Sequence, residues 1–132
     1  MCLTSRCNLK CKHCSANDIT TVIHPYEQVK GEMRLLCNMG EPILFFCGGE
    51  TFLWKDNGKT LRVLAIEAKQ MGFLIVNVVT NGTFPIDLPE ADLILVWTVT
   101  GSGIMPCGET LTIHHGEYPL CNSLQHLLVY GD

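Results

Sequence analysis

From Gln70 onward this chain has no lysine and no arginine. All nine basic residues lie at or before Lys69, whereas residues 70–132 carry six acidic ones. With a formal net charge of −4, the chain lacks the basic surface expected of a nucleic-acid or anionic-membrane binder, so neither partner is expected. Long apolar runs are also missing. The longest, Ile43–Cys47 and Leu93–Trp97, fall far short of the roughly 20 residues a membrane helix requires. No basic segment followed by an apolar stretch opens the chain, so a signal peptide is not expected and a cytoplasmic location is the default. Internal repeats and low-complexity segments are absent. Charged residues make up 17%, and the 47% hydrophobic content argues against disorder; 132 residues suit one domain with a real core.

Cysteine, by contrast, is abundant. Eight cysteines in a short chain without a visible export signal suggest metal binding rather than disulfides. The apolar pattern alternates between strands and helices. Met1–Thr4 is a strand stub. A helix is expected from Pro25 to Met39, with Val29, Met33, Leu36 and Cys37 on one face and Gly40 to end it. Ile43–Cys47 reads as a strand covered on both faces. A second helix is expected from Gly58 to Met71, with Leu61, Leu64, Ala65 and Ala68 inward and Gly72 at its end. Phe73–Thr80 and Leu93–Trp97 are further strands, joined through Leu88–Asp92. This order predicts an α/β fold with a parallel sheet. A closed eight-unit barrel takes about 250 residues, so about four βα units of an incomplete parallel (β/α) barrel are expected here.

The densest chemistry lies in Cys7-Asn8-Leu9-Lys10-Cys11-Lys12-His13-Cys14. Three thiolates from one loop, directly after a strand, suffice to hold three irons of a 4Fe–4S cluster and leave the fourth open. Zinc is the competing reading, but a structural zinc site normally takes four protein ligands, often as two Cys-x2-Cys pairs, and the sequence has no second pair.

Thr4-Ser5-Arg6-Cys7-Asn8-Leu9-Lys10-Cys11-Lys12-His13-Cys14 resembles the cluster loop of radical S-adenosylmethionine (SAM) enzymes, particularly the branch that often carries a C-terminal SPASM-like auxiliary-cluster domain. The resemblance implies that Cys7, Cys11 and Cys14 bind the cluster and that SAM chelates the open iron. His13 would then lie beside the adenine. It further implies oxidoreductase-type chemistry: reductive cleavage of SAM to methionine and a 5′-deoxyadenosyl radical, which abstracts hydrogen from a substrate the sequence does not name. An electron donor such as flavodoxin or ferredoxin is implied as partner. Two more segments follow in the family's order. Cys47-Gly48-Gly49-Glu50 ends a strand and is similar to segments that bind the SAM aminium; the family usually has Pro where this chain has Thr51. Val79-Thr80-Asn81-Gly82-Thr83 resembles the segment near the SAM ribose, which makes Thr80 and Asn81 the candidates there. The likeness runs from about Leu3 to Val96.

Beyond that point it fails. The family commonly continues Ser-Leu-Asp-Gly, then His and Arg-Gly, whereas this chain reads Val96-Trp97-Thr98-Val99-Thr100-Gly101. Codons built from the last base of one codon and the first two of the next force Asp at the Trp97/Thr98 join. The flanking joins permit Leu and Gly, Gly103/Ile104 permits His, Met105/Pro106 forces Ala, and the next three joins permit Leu, Arg and Gly. A frameshift near Val96–Trp97 is therefore expected, with 1–97 the N-terminal part of the core domain and 98–132 an atypical tail, out of frame or unstructured. Within that tail only Leu111–Ile113 and Leu127–Tyr130 suggest order. As it stands the chain is expected to bind a cluster without completing turnover; a non-enzymatic iron–sulfur or zinc module and an inactive truncation product are the alternatives.

The remaining candidates read as structural. Cys2, Cys37 and Cys47 look like packing thiols, Phe52 and Trp54 like loop packing, Asp56 like a helix cap, and Glu90 and Asp92 like solvated side chains. Cys107, Cys121, His114, His115 and His126 follow no metal-site spacing.

Overall fold

The computed structural model describes residues 1–11, 14, 21–98 and 109–114, the last six and 97–98 by backbone alone. Five strands form the main sheet in the order β1 (Cys2–Thr4), β2 (Ile43–Gly48), β5 (Ile75–Thr80), β6 (Leu93–Thr98) and β7 (Glu109–His114). The first four run parallel, as the alternating pattern predicts, and are consistent with part of a βα barrel. Helix α1 (Tyr26–Asn38) connects β1 to β2, and α2 (Leu61–Met71) leads into β5. The connection from β5 to β6 carries no helix. β7 pairs antiparallel to β6, from Leu93 opposite His114 to Thr98 opposite Glu109; the tail was not expected to supply a full strand. No helix among the described residues is long and apolar enough to cross a membrane.

The core lies between one sheet face and the two helices. Val29 and Met33 of α1, and Leu61, Leu64, Ala65 and Ala68 of α2, meet Leu3, Leu44, Phe46, Val76, Val78, Ile94 and Val96 from the strands. These are the two predicted helical stripes, with Leu36 and Cys37 packed at the margin. The Cys37 thiol also donates to the carbonyl of Met71, 3.0 Å away, joining the helix ends. The opposite sheet face differs from expectation. Ile43 and Phe45 are 44% and 43% exposed, so β2 is covered on one face rather than two. Both described helices pack on the other side. Cys2 is exposed and Cys47 half-buried, so neither is a full core thiol.

Element boundaries reflect local chemistry. Asn57 and Gly58 both take positive φ, 46° and 77°, and form the two-residue turn of a small hairpin, β3 (Lys55–Asp56) and β4 (Lys59–Thr60). Such Asn-Gly turns match the strand twist, which is why α2 starts at Leu61 and not at Gly58. Asp56 does cap a helix, but not the one that follows it: its Oδ2 accepts from the Tyr26 N–H of α1 at 2.8 Å. Pro25 precedes that first turn and has no side-chain cap to offer. Gly72, at φ 107°, terminates α2 as predicted. Asp92 is exposed, as expected, and Glu90 half-buried, and both take partners. Asp92 accepts from Val76 N–H at 2.6 Å and from Lys69, locking the start of β6 against β5 and α2. Glu90 pairs with Arg62 at 3.0 Å.

Candidate active site at the strand ends

The cysteine loop is closed at its base by the chain returning toward α1. Ser5 N–H donates to Val22 O at 2.9 Å, Val22 N–H to Ser5 Oγ at 2.7 Å, and His24 N–H to Leu3 O at 3.0 Å. Thr4, buried, adds a hydroxyl bond to Val22 O at 2.8 Å and accepts from Arg6 N–H at 3.0 Å. The loop thus leaves a fixed strand end and returns to it. Trp54, buried, supports the return by donating from Nε1 to His24 O at 2.9 Å, which agrees with its reading as loop packing.

Two of the three loop thiols, Cys7 and Cys11, are half-buried, and Cys14 is exposed. Cys14 N–H donates to Cys11 O at 3.0 Å, linking the second and third loop cysteines. Burial, and after it the neighbouring Cys14 and Cys7 charges, pushes the Cys11 thiol up from its ordinary value. Mutual repulsion of that kind is relieved by a bound cation. Cys7 Sγ accepts from Leu9 N–H at 3.4 Å and from Asn81 Nδ2 at 3.6 Å. Among the described residues, no three His, Cys, Asp or Glu side chains are grouped to hold one metal ion. A 4Fe–4S cluster makes a different demand, since each thiolate takes its own iron. The donor chemistry of the loop fits such a cluster. His13 lies outside the described residues.

The glycines of Gly48-Gly49-Glu50 let β2 approach the base of this loop. A Cβ on Gly48 would stand 2.2 Å from Thr4 O, and one on Gly49 2.4 Å from Arg6 O. Across this contact Gly49 N–H donates to Thr4 O at 2.7 Å and Glu50 N–H to Arg6 O at 2.8 Å. Glu50 is fully buried. Its Oε1 accepts from Thr80 Oγ1 at 2.7 Å and Phe52 N–H at 3.1 Å, and its Oε2 accepts from Asn81 N–H at 2.8 Å. One side chain therefore joins the ends of β2 and β5, while its own backbone holds the cysteine loop. The three segments singled out in the sequence converge on Glu50.

Thr80 and Asn81 already have internal partners. The Thr80 hydroxyl donates to Glu50 and accepts from Gly82 N–H at 3.2 Å. The Asn81 amide donates to Asn8 Oδ1 at 2.9 Å as well as to Cys7, and its Oδ1 accepts from Thr83 N–H at 3.0 Å and Thr83 Oγ1 at 2.6 Å. Asn8 Nδ2 donates to Thr83 Oγ1 at 2.8 Å, closing the ring. Sequence reasoning did not single out Asn8, since nothing in a lone loop asparagine marks its partner 73 residues away. It also treated Thr51 only as a departure from Pro. Its hydroxyl, buried, donates to Val79 O at 2.6 Å and ties the turn to β5. Of the tail histidines and cysteines, only the backbone of His114 lies among the described residues.

The sequence matches the Radical SAM superfamily over residues 1–94. It is 37% identical over 89 residues to a protein named Fe-coproporphyrin III synthase from Methanosarcina barkeri (strain Fusaro / DSM 804), covering 61% of this chain and 20% of that protein. It is 35% identical over 81 residues to the S-adenosylmethionine-dependent nucleotide dehydratase RSAD2 of Danio rerio, covering 61% of this chain and 22% of the relative. The chain thus spans about a fifth of the length of these curated relatives. No solved structure matches.

Proposed function

This chain belongs to the radical SAM superfamily, and from that premise we propose that it holds a 4Fe–4S cluster on Cys7, Cys11 and Cys14, binds SAM across the ends of β2 and β5, and serves radical generation. When bound, the cluster and SAM supply one-electron reductive cleavage to methionine and a 5′-deoxyadenosyl radical able to take hydrogen from a substrate. The protein's part is positional. Gly48 and Gly49, whose missing side chains let β2 close on the base of the cysteine loop, form the turn proposed to face the methionine end, and Glu50 Oε2, with one hydrogen bond accepted, keeps acceptor capacity for an aminium. Thr80 and Asn81 form the strand end proposed to abut the ribose, with His13 beside the adenine. A reduced flavodoxin or ferredoxin is the proposed electron donor, and the cytoplasm, where thiols stay reduced, the proposed location.

The observation that carries this reading is the convergence of the cysteine loop, the Gly-Gly-Glu turn and the Thr-Asn-Gly strand end on one buried carboxylate. Anaerobic reconstitution with iron and sulfide tests it. A broad absorption near roughly 400 nm, typical of thiolate-bound clusters, is expected in the wild type and lost in the Cys7→Ala, Cys11→Ala, Cys14→Ala variant. Dithionite should then yield 5′-deoxyadenosine from SAM. A colourless protein retaining one zinc overturns the proposal.

A further inference from the structure

Asn81 was expected at the SAM ribose, yet its amide is directed at the cysteine loop. Nδ2 lies 3.6 Å from Cys7 Sγ, an ordinary N–H···S separation given the size of sulfur, and 2.9 Å from Asn8 Oδ1. The amide cannot turn over without loss, because Oδ1 is held by both the backbone and hydroxyl of Thr83. Its orientation is therefore fixed with the donor toward sulfur. The Asn81 backbone is fixed as well, through its N–H to Glu50 Oε2 at 2.8 Å. Leu9 N–H, at 3.4 Å, is the second donor on the same sulfur. The Cys7 sulfur thus accepts from two N–H groups, one of them on the residue that follows β5.

We propose that Asn81 is a positioning residue for the cluster ligand Cys7, its side-chain amide setting the sulfur's orientation and raising the cluster's reduction potential. This rests on the cluster assignment above. Reduction adds negative charge to the cluster and its thiolates, and an N–H aimed at a ligand sulfur stabilises that added charge, so hydrogen bonds to sulfur tune such potentials. The two bonds from Thr83 to Asn81 Oδ1 keep the donor in place, and Glu50 carries its position to the turn where SAM is proposed to bind. The device couples the potential of the cluster to the β5 end that forms the proposed SAM wall.

The test uses the full 132-residue chain, reconstituted anaerobically, with the midpoint potential followed by EPR-monitored titration. Asn81→Ala should keep its iron and sulfide content while its midpoint moves to more negative potential, and reduction by a fixed low-potential donor should slow. Asn8→Ala loosens the loop but leaves the Asn81 donor, and its midpoint should stay at the wild-type value. A second measurement requires no variant at Asn81. With 15N in asparagine side chains, the reduced wild-type cluster should show a weak 15N hyperfine coupling that persists in Asn8→Ala. An unchanged midpoint in Asn81→Ala, an equal shift in Asn8→Ala, or absence of the coupling each overturns the inference while the cluster assignment stands. A wild type that takes up no cluster overturns both.

Discussion

Replacing Glu50 by Gln separates a structural role from one confined to ligand binding, because the measurement needs neither cluster nor SAM. The carboxylate accepts three hydrogen bonds with two oxygens, and glutamine offers a single acceptor oxygen in the same volume. With that oxygen at the Oε1 position, the bonds from Thr80 and Phe52 survive and the new NH2 confronts Asn81 N–H across 2.8 Å. With the orientation reversed, it confronts Phe52 N–H. Either way at least one buried backbone donor loses its acceptor, worth about 1–3 kcal/mol, and the surviving bonds lose any assistance from charge. We expect Glu50→Gln to destabilise the metal-free chain by about 2 kcal/mol. In urea, with a slope of about 2 kcal/mol/M, the midpoint should fall by roughly 1 M. Thr80→Val should fall by about half as much, and the double variant by less than the sum, because both changes break the same bond. A metal-free Glu50→Gln midpoint within about 0.3 M of wild type would refute the three-way junction.

Gly49→Ala places its Cβ against Arg6 O at 2.4 Å and Ser5 O at 2.6 Å, both backbone atoms. The loop base must shift, at about 1–3 kcal/mol, and iron uptake on reconstitution should fall with the melting temperature. Asp56→Ala removes the only cap on α1 given by a side chain at Tyr26 N–H; a loss of about 1 kcal/mol is expected in denaturant unfolding, with Asp56→Asn near wild type. For pH, burial opposes ionisation of Asp92, but bonds from Lys69 and Val76 N–H outweigh it and hold the carboxyl below its ordinary value of 3.8. Glu67 behaves alike: burial pushes it up, yet Tyr26 and Lys30 bring it below 4.5. Groups depressed in the fold stabilise it above their unfolded values and lose that contribution as pH falls through the folded ones. Stability should therefore decline below about pH 4, and the decline should be shallower in Asp92→Asn, as followed by thermal melts from pH 2 to 7.

Regular periodicity made the core legible. The stripes of α1 and α2 and the parallel strand order follow from spacing that any helix or buried strand must obey. The order of the three site segments was legible for the same reason, since each sits at a strand end. What escaped the sequence was pairing at long range. Asp56 precedes α2 in the chain but caps α1, and the exposed Asp92 gains Val76 N–H only through the pairing of β6 with β5. The start of α2 was misplaced because Asn57-Gly58 fits a hairpin turn, a local signal outweighed in the reading by the helix pattern beyond it. Exposure of Ile43 and Phe45 was hidden because an apolar run does not tell which of its faces is covered. That the Asn81 amide also faces Cys7 and Asn8 was not legible, because these lie 74 and 73 residues away in the chain.

The register of β6 gives the anomalous tail a testable consequence. Thr80 stands opposite Val96, so the Trp97/Thr98 join lies beside Asn81 at the mouth of the sheet. That join is where the shifted reading frame forces an aspartate, and the family match stops shortly before it, at residue 94. A restored frame would place a carboxylate next to the proposed ribose wall, where the present sequence has only Trp and Thr. It would also replace the Glu109–His114 segment that now pairs antiparallel with β6, in a sheet otherwise parallel. We expect the nucleotide sequence to read Leu-Asp-Gly across codons 96–99 in the shifted frame, and to stay open through the His and Ala-Leu-Arg-Gly joins. The third bases of Val96, Pro106, Cys107 and Gly108 decide the Leu, Leu, Arg and Gly of the pattern, and two further positions, the third bases of Thr98 and Gly103, decide the glycine and the histidine. A stop codon soon after the shift, or any other base at those two positions, refutes the frameshift and leaves β7 as a genuine edge strand of this protein.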